Sequence, residues 1–232
     1  MSDPRNMLSR MPAVGQRSFE FRTWGGRRPG AGRKTARSRA ASPHRAREAF
    51  RPYQPVHVTL RMADHVWNLR SQRSFAIIHG ALADVRERSD VRVTDYSVQG
   101  NHVHLIVEAS GQRALGTGIR ALTIRLARRL NRMMGRRGAV FEDRFNVHVL
   151  RTPAEARNAI RYVLGNYASH AARRGERVSP EWADPYASAV ECVPRSGQGA
   201  FWPEPVTRAA ETWLLRTAGG HRPRLCTPGM GL

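Results

Sequence analysis

Lysine is almost missing from this sequence of 232 residues: Lys34 stands alone, and every other basic residue is an arginine. Acidic residues are scarce too, 18 Asp+Glu against 39 Lys+Arg, which leaves a formal charge of +21. Cys192 and Cys226 are the only cysteines. Two thiols cannot make a disulfide framework or a four-thiolate zinc site, and they suit a reducing compartment. No run approaches the ~18 consecutive apolar residues of a membrane span. The N-terminus lacks the apolar stretch of a secretory signal. The expectation is a cytoplasmic, nucleoid-associated protein with no membrane partner.

A hydrophobic content of 41% is that of a chain that folds. An excess of positive charge this large on such a chain points to a polyanion, and nucleic acid is the usual one. The preference for arginine has two readings: codon usage in a GC-rich genome, or guanidinium forks that grip phosphates and stack on bases.

The charge is unevenly spread. Residues 1–52 hold thirteen basic and three acidic residues in a Gly-, Ser-, Ala- and Pro-rich context without a sustained apolar period. This leader reads as a flexible DNA tether. Inside it, Gly25-Gly26-Arg27-Arg28-Pro29-Gly30-Ala31-Gly32-Arg33-Lys34 is similar to the Gly-Arg-Pro hooks that lie in narrow minor grooves. Pro and Gly keep such a backbone slim, while Arg27, Arg28, Arg33 and Lys34 meet negative potential. A solvated basic tail is the plainer reading of the same run.

From Val56 the texture changes. Val56-His57-Val58-Thr59-Leu60 alternates as a half-buried strand does. A helix is predicted from about Asp64, its N-cap, to Arg88, with Trp67, Phe75, Ile78 and Leu82 inward. Val91–Val98 and His102–Ala109 read as strands joined by a turn at Gln99-Gly100-Asn101. Leu115–Met134 is a helix with a stripe of Leu115, Ile119, Leu122, Leu126, Leu130 and Met133, ended by Gly135. Phe145–Leu150 gives a fourth strand. Pro153, after a Thr152 cap, opens a helix to about Arg174. The order β-α-β-β-α-β is that of an α+β, ferredoxin-like split βαβ sheet, with an additional helix free to cover the second face. Domain boundaries follow: the leader 1–52, a folded domain 53–175, and an irregular tail 176–232 with a short helix at Ala209–Leu215.

Two residues apart on a strand share a face, so His102 and His104 project together while Val103, Leu105 and Val107 point to the core. Two imidazoles side by side are a ready metal pair; a bare His-Val-His triplet also occurs on ordinary strands. In the helix expected over this face, Asn166 follows Tyr162 by four residues and shares its side. Tyr167 points well away. A phenol facing two imidazoles, with an amide as a further oxygen ligand, makes a phosphoryl-transfer site; the plain alternative is a core tyrosine with a satisfied hydroxyl. His57 and His148, on other strands, offer a competing tetrahedral zinc set if the registers cooperate.

Arg125, Arg128, Arg129, Arg132, Arg136 and Arg137 mark a basic face on and after the second helix. Acids are absent from Gln112 to Val140, which favours phosphate binding over a merely solvated face. Glu142, Asp143 and Arg144 read as a structural ion-pair cluster at a strand start.

Several segments together resemble the HUH single-tyrosine transposases, most closely the REP-associated tyrosine transposases. They are Tyr96-Ser97-Val98-Gln99-Gly100-Asn101-His102-Val103-His104-Leu105, Val140-Phe141-Glu142-Asp143-Arg144-Phe145, Arg161-Tyr162-Val163-Leu164-Gly165-Asn166 and Thr212-Trp213-Leu214-Leu215-Arg216. The similarity covers about residues 56–172. It implies His102 and His104 as metal ligands, Tyr162 as nucleophile, Asn166 as third ligand, Mg²⁺ or Mn²⁺ as cofactor, and single-stranded or hairpin DNA as substrate. The implied reaction is nicking and strand transfer through a 5′-phosphotyrosine, by a monomer or a homodimer that exchanges helices. One departure is Gly165, where relatives often carry a larger or polar residue; glycine inside a helix costs ~1 kcal/mol. From a different class, the competing reading is a catalytically silent DNA- or RNA-binding protein on the same fold. A plain RNA-binding sheet is disfavoured, because the strands lack exposed stacking aromatics.

Overall fold

The computed structural model describes residues 49–88, 90–179, 182–192 and 204–219. Its elements are β1 (Val56–Arg61), α1 (Gln72–Arg86), β2 (Val91–Val98), β3 (His102–Ala109), α2 (Gln112–Met133), β4 (Asn146–Val149), α3 (Pro153–Arg173) and α4 (Trp213–Gly219), with a 3₁₀ turn at Ser188–Cys192. The four strands form one antiparallel sheet in the order β2-β3-β1-β4. This is the split βαβ arrangement: β3 lies between β1 and β2, the two strands that α1 connects. Among the described residues, no helix is long and apolar enough to cross a membrane.

Period-two alternation divides each strand between two faces. Val56, Val58 and Leu60 of β1 and Val103, Leu105 and Val107 of β3 join Phe75, Ile78 and Leu82 of α1 and Leu115, Leu122 and Leu126 of α2 in the main core. Ile106, on the opposite face of β3, belongs to a second core with Ile160, Val163 and Leu164 of α3 and Leu215 of α4. So α3 covers the face that α1 and α2 leave open.

Local chemistry fixes the helix ends. Thr152 Oγ1 accepts the Glu155 N–H at 3.1 Å, and the Glu155 carboxylate reaches back to the Arg151 N–H at 2.7 Å. Gly135, at φ +63°, closes α2 in the left-handed conformation. The Gly135 N–H donates to Arg132 O, and the Arg136 N–H to Asn131 O, so two otherwise orphaned carbonyls are met. Along α2, Gly118 allows close helix–sheet approach: a Cβ there would lie 2.6 Å from a Val91 methyl.

Several boundaries differ from those expected, and α2 begins at Gln112, three residues before Leu115. The first helix starts at Gln72 under a Ser71 cap, not at Asp64. Residues 62–69 instead bond outward, Met62 N–H to Asn101 O, Ala63 N–H to Val140 O and Leu69 N–H to Gly100 O, and Trp67 is exposed. The last helix begins at Trp213 rather than Ala209, because the Glu108 carboxylate takes the backbone N–H groups of Glu211 and Thr212. The fourth strand is shorter by one residue at each end.

Candidate functional site

The α3-facing side of β3 reads His102, His104, Ile106, Glu108, and each position has a different task. Glu108, fully buried, pairs with buried Arg92 at 2.9 Å; Arg92 also pairs with Glu211. Together with the backbone bonds to Glu211 and Thr212, this ties the start of α4 to the sheet. Ile106 supplies the apolar floor under α3. His102 and His104 lie at the other end, their ring centroids 4.7 Å apart.

Antiparallel pairing then brings β1 to the histidines. Thr59 pairs with His104, and His57 is one step away on the same face. His57 Nε2 is 3.1 Å and Thr59 Oγ1 3.2 Å from His104 Nδ1. From above, Tyr162 of α3 places its ring edge-on to both imidazoles, with centroids 5.1 Å from His104 and 5.8 Å from His57. Tyr162 is 51% exposed, so the ring reaches solvent, whereas Asn166, one turn on, is only 2% exposed.

Burial holds the imidazoles neutral. It pulls His57 down to about 4, with the positive field of His148 adding to the effect. His104 falls to about 3, first through burial and then through His102, His57 and His170. His102 is lowered as well, by burial, then by His170 and Arg61. At neutral pH each ring therefore keeps a lone pair for a proton or a cation.

The polar atoms that have no partner are the informative ones. His104 Nε2 and both side-chain atoms of Asn166, Oδ1 and Nδ2, are buried without a hydrogen bond. Leaving such atoms unmet costs ~1–3 kcal/mol each, so groups of this kind call for a water, an ion or a role in catalysis; Asn131 Oδ1 on α2 is a further one. The His102 ring is oriented by Nδ1, 2.8 Å from Asn101 Oδ1. Two imidazoles and an amide oxygen are donor types that suit a divalent cation. Among the described residues, no three His, Cys, Asp or Glu side chains gather into a cation cluster. The tetrahedral zinc alternative needs such a cluster; the registers do place His57 beside His104 and opposite His148, but His57 and His104 are turned toward each other.

The basic face expected on α2 divides. Arg125 and Arg129 both pair with Asp84 of α1, at 3.2 and 2.7 Å, so they fasten two helices together rather than standing free for phosphate. Arg128, Arg132, Arg136 and Arg137 are exposed. Glu142 pairs with Arg61, which lies opposite His102 on β1. Arg27, Arg28, Arg33 and Lys34 lie outside the described residues.

Two features escaped the sequence reading. His170, one turn beyond Asn166, is near enough to act on both His102 and His104; its i+4 spacing from Asn166 was the available signal. Arg70 was invisible: its guanidinium lies between the rings of Tyr167 and Tyr186, 4.1 and 4.4 Å from their centroids, and forks onto buried Asp184 at 2.8 and 2.9 Å. Tyr167, turned away from the histidines as expected, thereby anchors α3 to the body of the fold.

No family model matches this sequence, and no curated protein does. Among solved structures it is similar to a REP-associated tyrosine transposase bound to a REP hairpin, with a TM-score of 0.51 over 73% of this chain and 96% of the other. The chain shares the fold of that structure. At 17% identity the likeness speaks for architecture, which agrees with the resemblance carried by the motifs. A candidate transposase from Deinococcus radiodurans R1 overlaps more loosely, at TM-score 0.37 and 13% identity over 58% of this chain and 99% of that one.

Proposed function

We propose that this protein is a metal-dependent, single-tyrosine nickase and strand transferase acting on single-stranded or hairpin DNA. The observation that carries the reading is the exposed Tyr162 ring standing edge-on over His104, beside buried ligand atoms that lack partners. The neighbour bound to a REP hairpin makes a structured single strand the natural substrate class.

His102, His104 and the Asn166 amide would hold Mg²⁺ or Mn²⁺; the imidazoles make Mn²⁺ the more comfortable of the two. When bound, the cation polarises the scissile phosphate and neutralises charge that develops on its oxygens. Tyr162 supplies the nucleophile. Its Oη forms a bond to phosphorus as the bond to the 3′ oxygen breaks; the phenol proton passes to solvent, and the departing 3′ oxygen takes one up. The 5′ side is then linked to the protein as a phosphotyrosine. Because the link conserves a phosphodiester, attack by another 3′ hydroxyl rejoins strands and restores the phenol without ATP.

The anchoring of α3 through Tyr167 to Arg70 of the same chain favours a tyrosine that serves its own histidines, in a monomer or a homodimer. Arg128, Arg132, Arg136 and Arg137 follow the strand's phosphates by charge, and residues 1–52 tether the complex through Arg27, Arg28, Arg33 and Lys34. Residues 53–175 form the catalytic domain, and 176–232 the tail.

Incubating the protein with Mn²⁺ and a 3′-labelled hairpin oligonucleotide from DNA flanking the gene tests the reading, because the fragment on the 3′ side of the cut is the one that stays on the protein. An SDS-resistant protein–DNA adduct, lost in Tyr162→Phe and in chelator, is the expected result. A wild-type chain that binds the hairpin without forming the adduct is a binding protein and not this enzyme.

A further inference from the structure

We propose that His57 is a positioning residue: it accepts the Nδ1 proton of His104 and thereby leaves the lone pair on His104 Nε2 for the cation. The role rests on the metal site described above and adds to it a residue from a different strand.

His57 Nε2 and His104 Nδ1 are 3.1 Å apart, and a single proton fills the space between two neutral imidazole nitrogens. If it belongs to His104, then His104 Nε2 carries no hydrogen and presents a lone pair. If it belongs to His57, His104 bears its hydrogen on Nε2, a buried atom with no acceptor near it, and the same nitrogen is closed to a cation. A His104-to-His57 hydrogen bond therefore leaves Nε2 open to ligation, and the reverse bond closes it. Thr59 Oγ1, 3.2 Å from the same Nδ1, does not decide the matter, because a hydroxyl donates or accepts with equal ease.

The fold makes this contact rigid. His57 is paired on both sides, with Ile106 of β3 and with His148 of β4, so its backbone is held by two ladders rather than by a loop. It also meets the Tyr162 ring edge-on. One side chain thus touches both a proposed ligand and the proposed nucleophile while lying outside the proposed ligand set. Histidine ligands commonly pass their second N–H to a carboxylate, a backbone carbonyl or a water, and losing that acceptor weakens metal binding by ~10- to 100-fold; here the acceptor is an imidazole nitrogen.

Mn²⁺ affinity of the full-length, DNA-free protein, read from the electron paramagnetic resonance of free Mn²⁺, tests the role without relying on activity. His57→Phe keeps the ring but removes the acceptor; it should weaken binding by about tenfold to a hundredfold while the melting transition of the metal-free protein is retained. His57→Gln, whose amide oxygen can take the Nδ1 proton, should recover most of the loss. Phe-variant affinity within twofold of wild type overturns the proposal. Nitrogen-15 NMR of the unsubstituted protein tests it independently of any variant: the Nδ1–H tautomer of His104 is expected, and the Nε2–H tautomer contradicts it. A wild-type chain that binds no Mn²⁺ overturns the metal site itself, before any variant is made.

Discussion

One face of the sheet presents Val56, Val58, Leu60, Val103, Leu105 and Val107 to α1 and α2. The same two strands, one residue out of step, present His57, Thr59, His102 and His104 to α3. On the first face burial removes apolar surface from water, and every contact adds to stability. On the second, burial strips water from imidazoles and leaves His104 Nε2 and Asn166 without partners. Burial under α3 therefore opposes stability in the metal-free chain at the atoms where ligation would recover it. The α1–α2 face thus carries the fold, and the α3 face holds the residues to which the chemistry is assigned by proposal. The ion pair of Arg92 with Glu108 and the fork of Arg70 on Asp184 hold the second face in place from outside its polar centre.

The comparison breaks most visibly on the apolar side. Leu126 is fully buried in the main core, so Leu126→Ala should lower unfolding free energy by about 2–5 kcal/mol in a urea titration. A loss under 1 kcal/mol would mean that the α1–α2 face is not where stability resides.

On the opposite face a similar substitution should act with the other sign. Asn166→Leu keeps the branched skeleton while removing two orphaned polar atoms, so the metal-free protein should gain about 1 kcal/mol. Calorimetry should show that Mn²⁺ no longer raises its melting temperature, whereas wild type is stabilised. An Asn166→Leu chain destabilised by several kcal/mol would show that the amide is an ordinary structural group.

Two of the helix glycines, one under each face, differ at the smallest scale. Gly118→Ala drives a methyl to 2.6 Å from Val91, and overpacking outweighs the gain in helix propensity, for a net loss of about 1 kcal/mol. Gly165→Ala meets no atom within 4 Å and should add up to ~1 kcal/mol. Thermal melts of the two variants should move in opposite directions.

Much of this division was legible in the sequence, because it depends on periods. Alternation in β1 and β3 separated valine from histidine, and the i+4 spacing of Tyr162 and Asn166 put them on one side of a helix. The order of elements was enough for the sheet topology. What did not show was anything set by register or by contacts far apart in the chain. His57 meets His104 only because Thr59 pairs with His104, a match no local pattern specifies. Arg125 and Arg129 read as free phosphate contacts until α1 brought Asp84 to them. The start of α1 was misjudged at Asp64 because residues 62–69 satisfy their backbone through Asn101, Gly100 and Val140, not through a helix. Arg70 lacked any signal, since Asp184 and Tyr186 lie more than a hundred residues on.

The most direct test is capture of the covalent intermediate. Wild-type protein incubated with Mn²⁺ and a labelled hairpin oligonucleotide should yield an SDS-resistant adduct whose tryptic mass spectrum places the nucleotide on Tyr162, absent from Tyr162→Phe. An adduct of equal yield in Tyr162→Phe, or a nucleotide mapped to any other residue, would contradict the assignment of Tyr162 as the nucleophile.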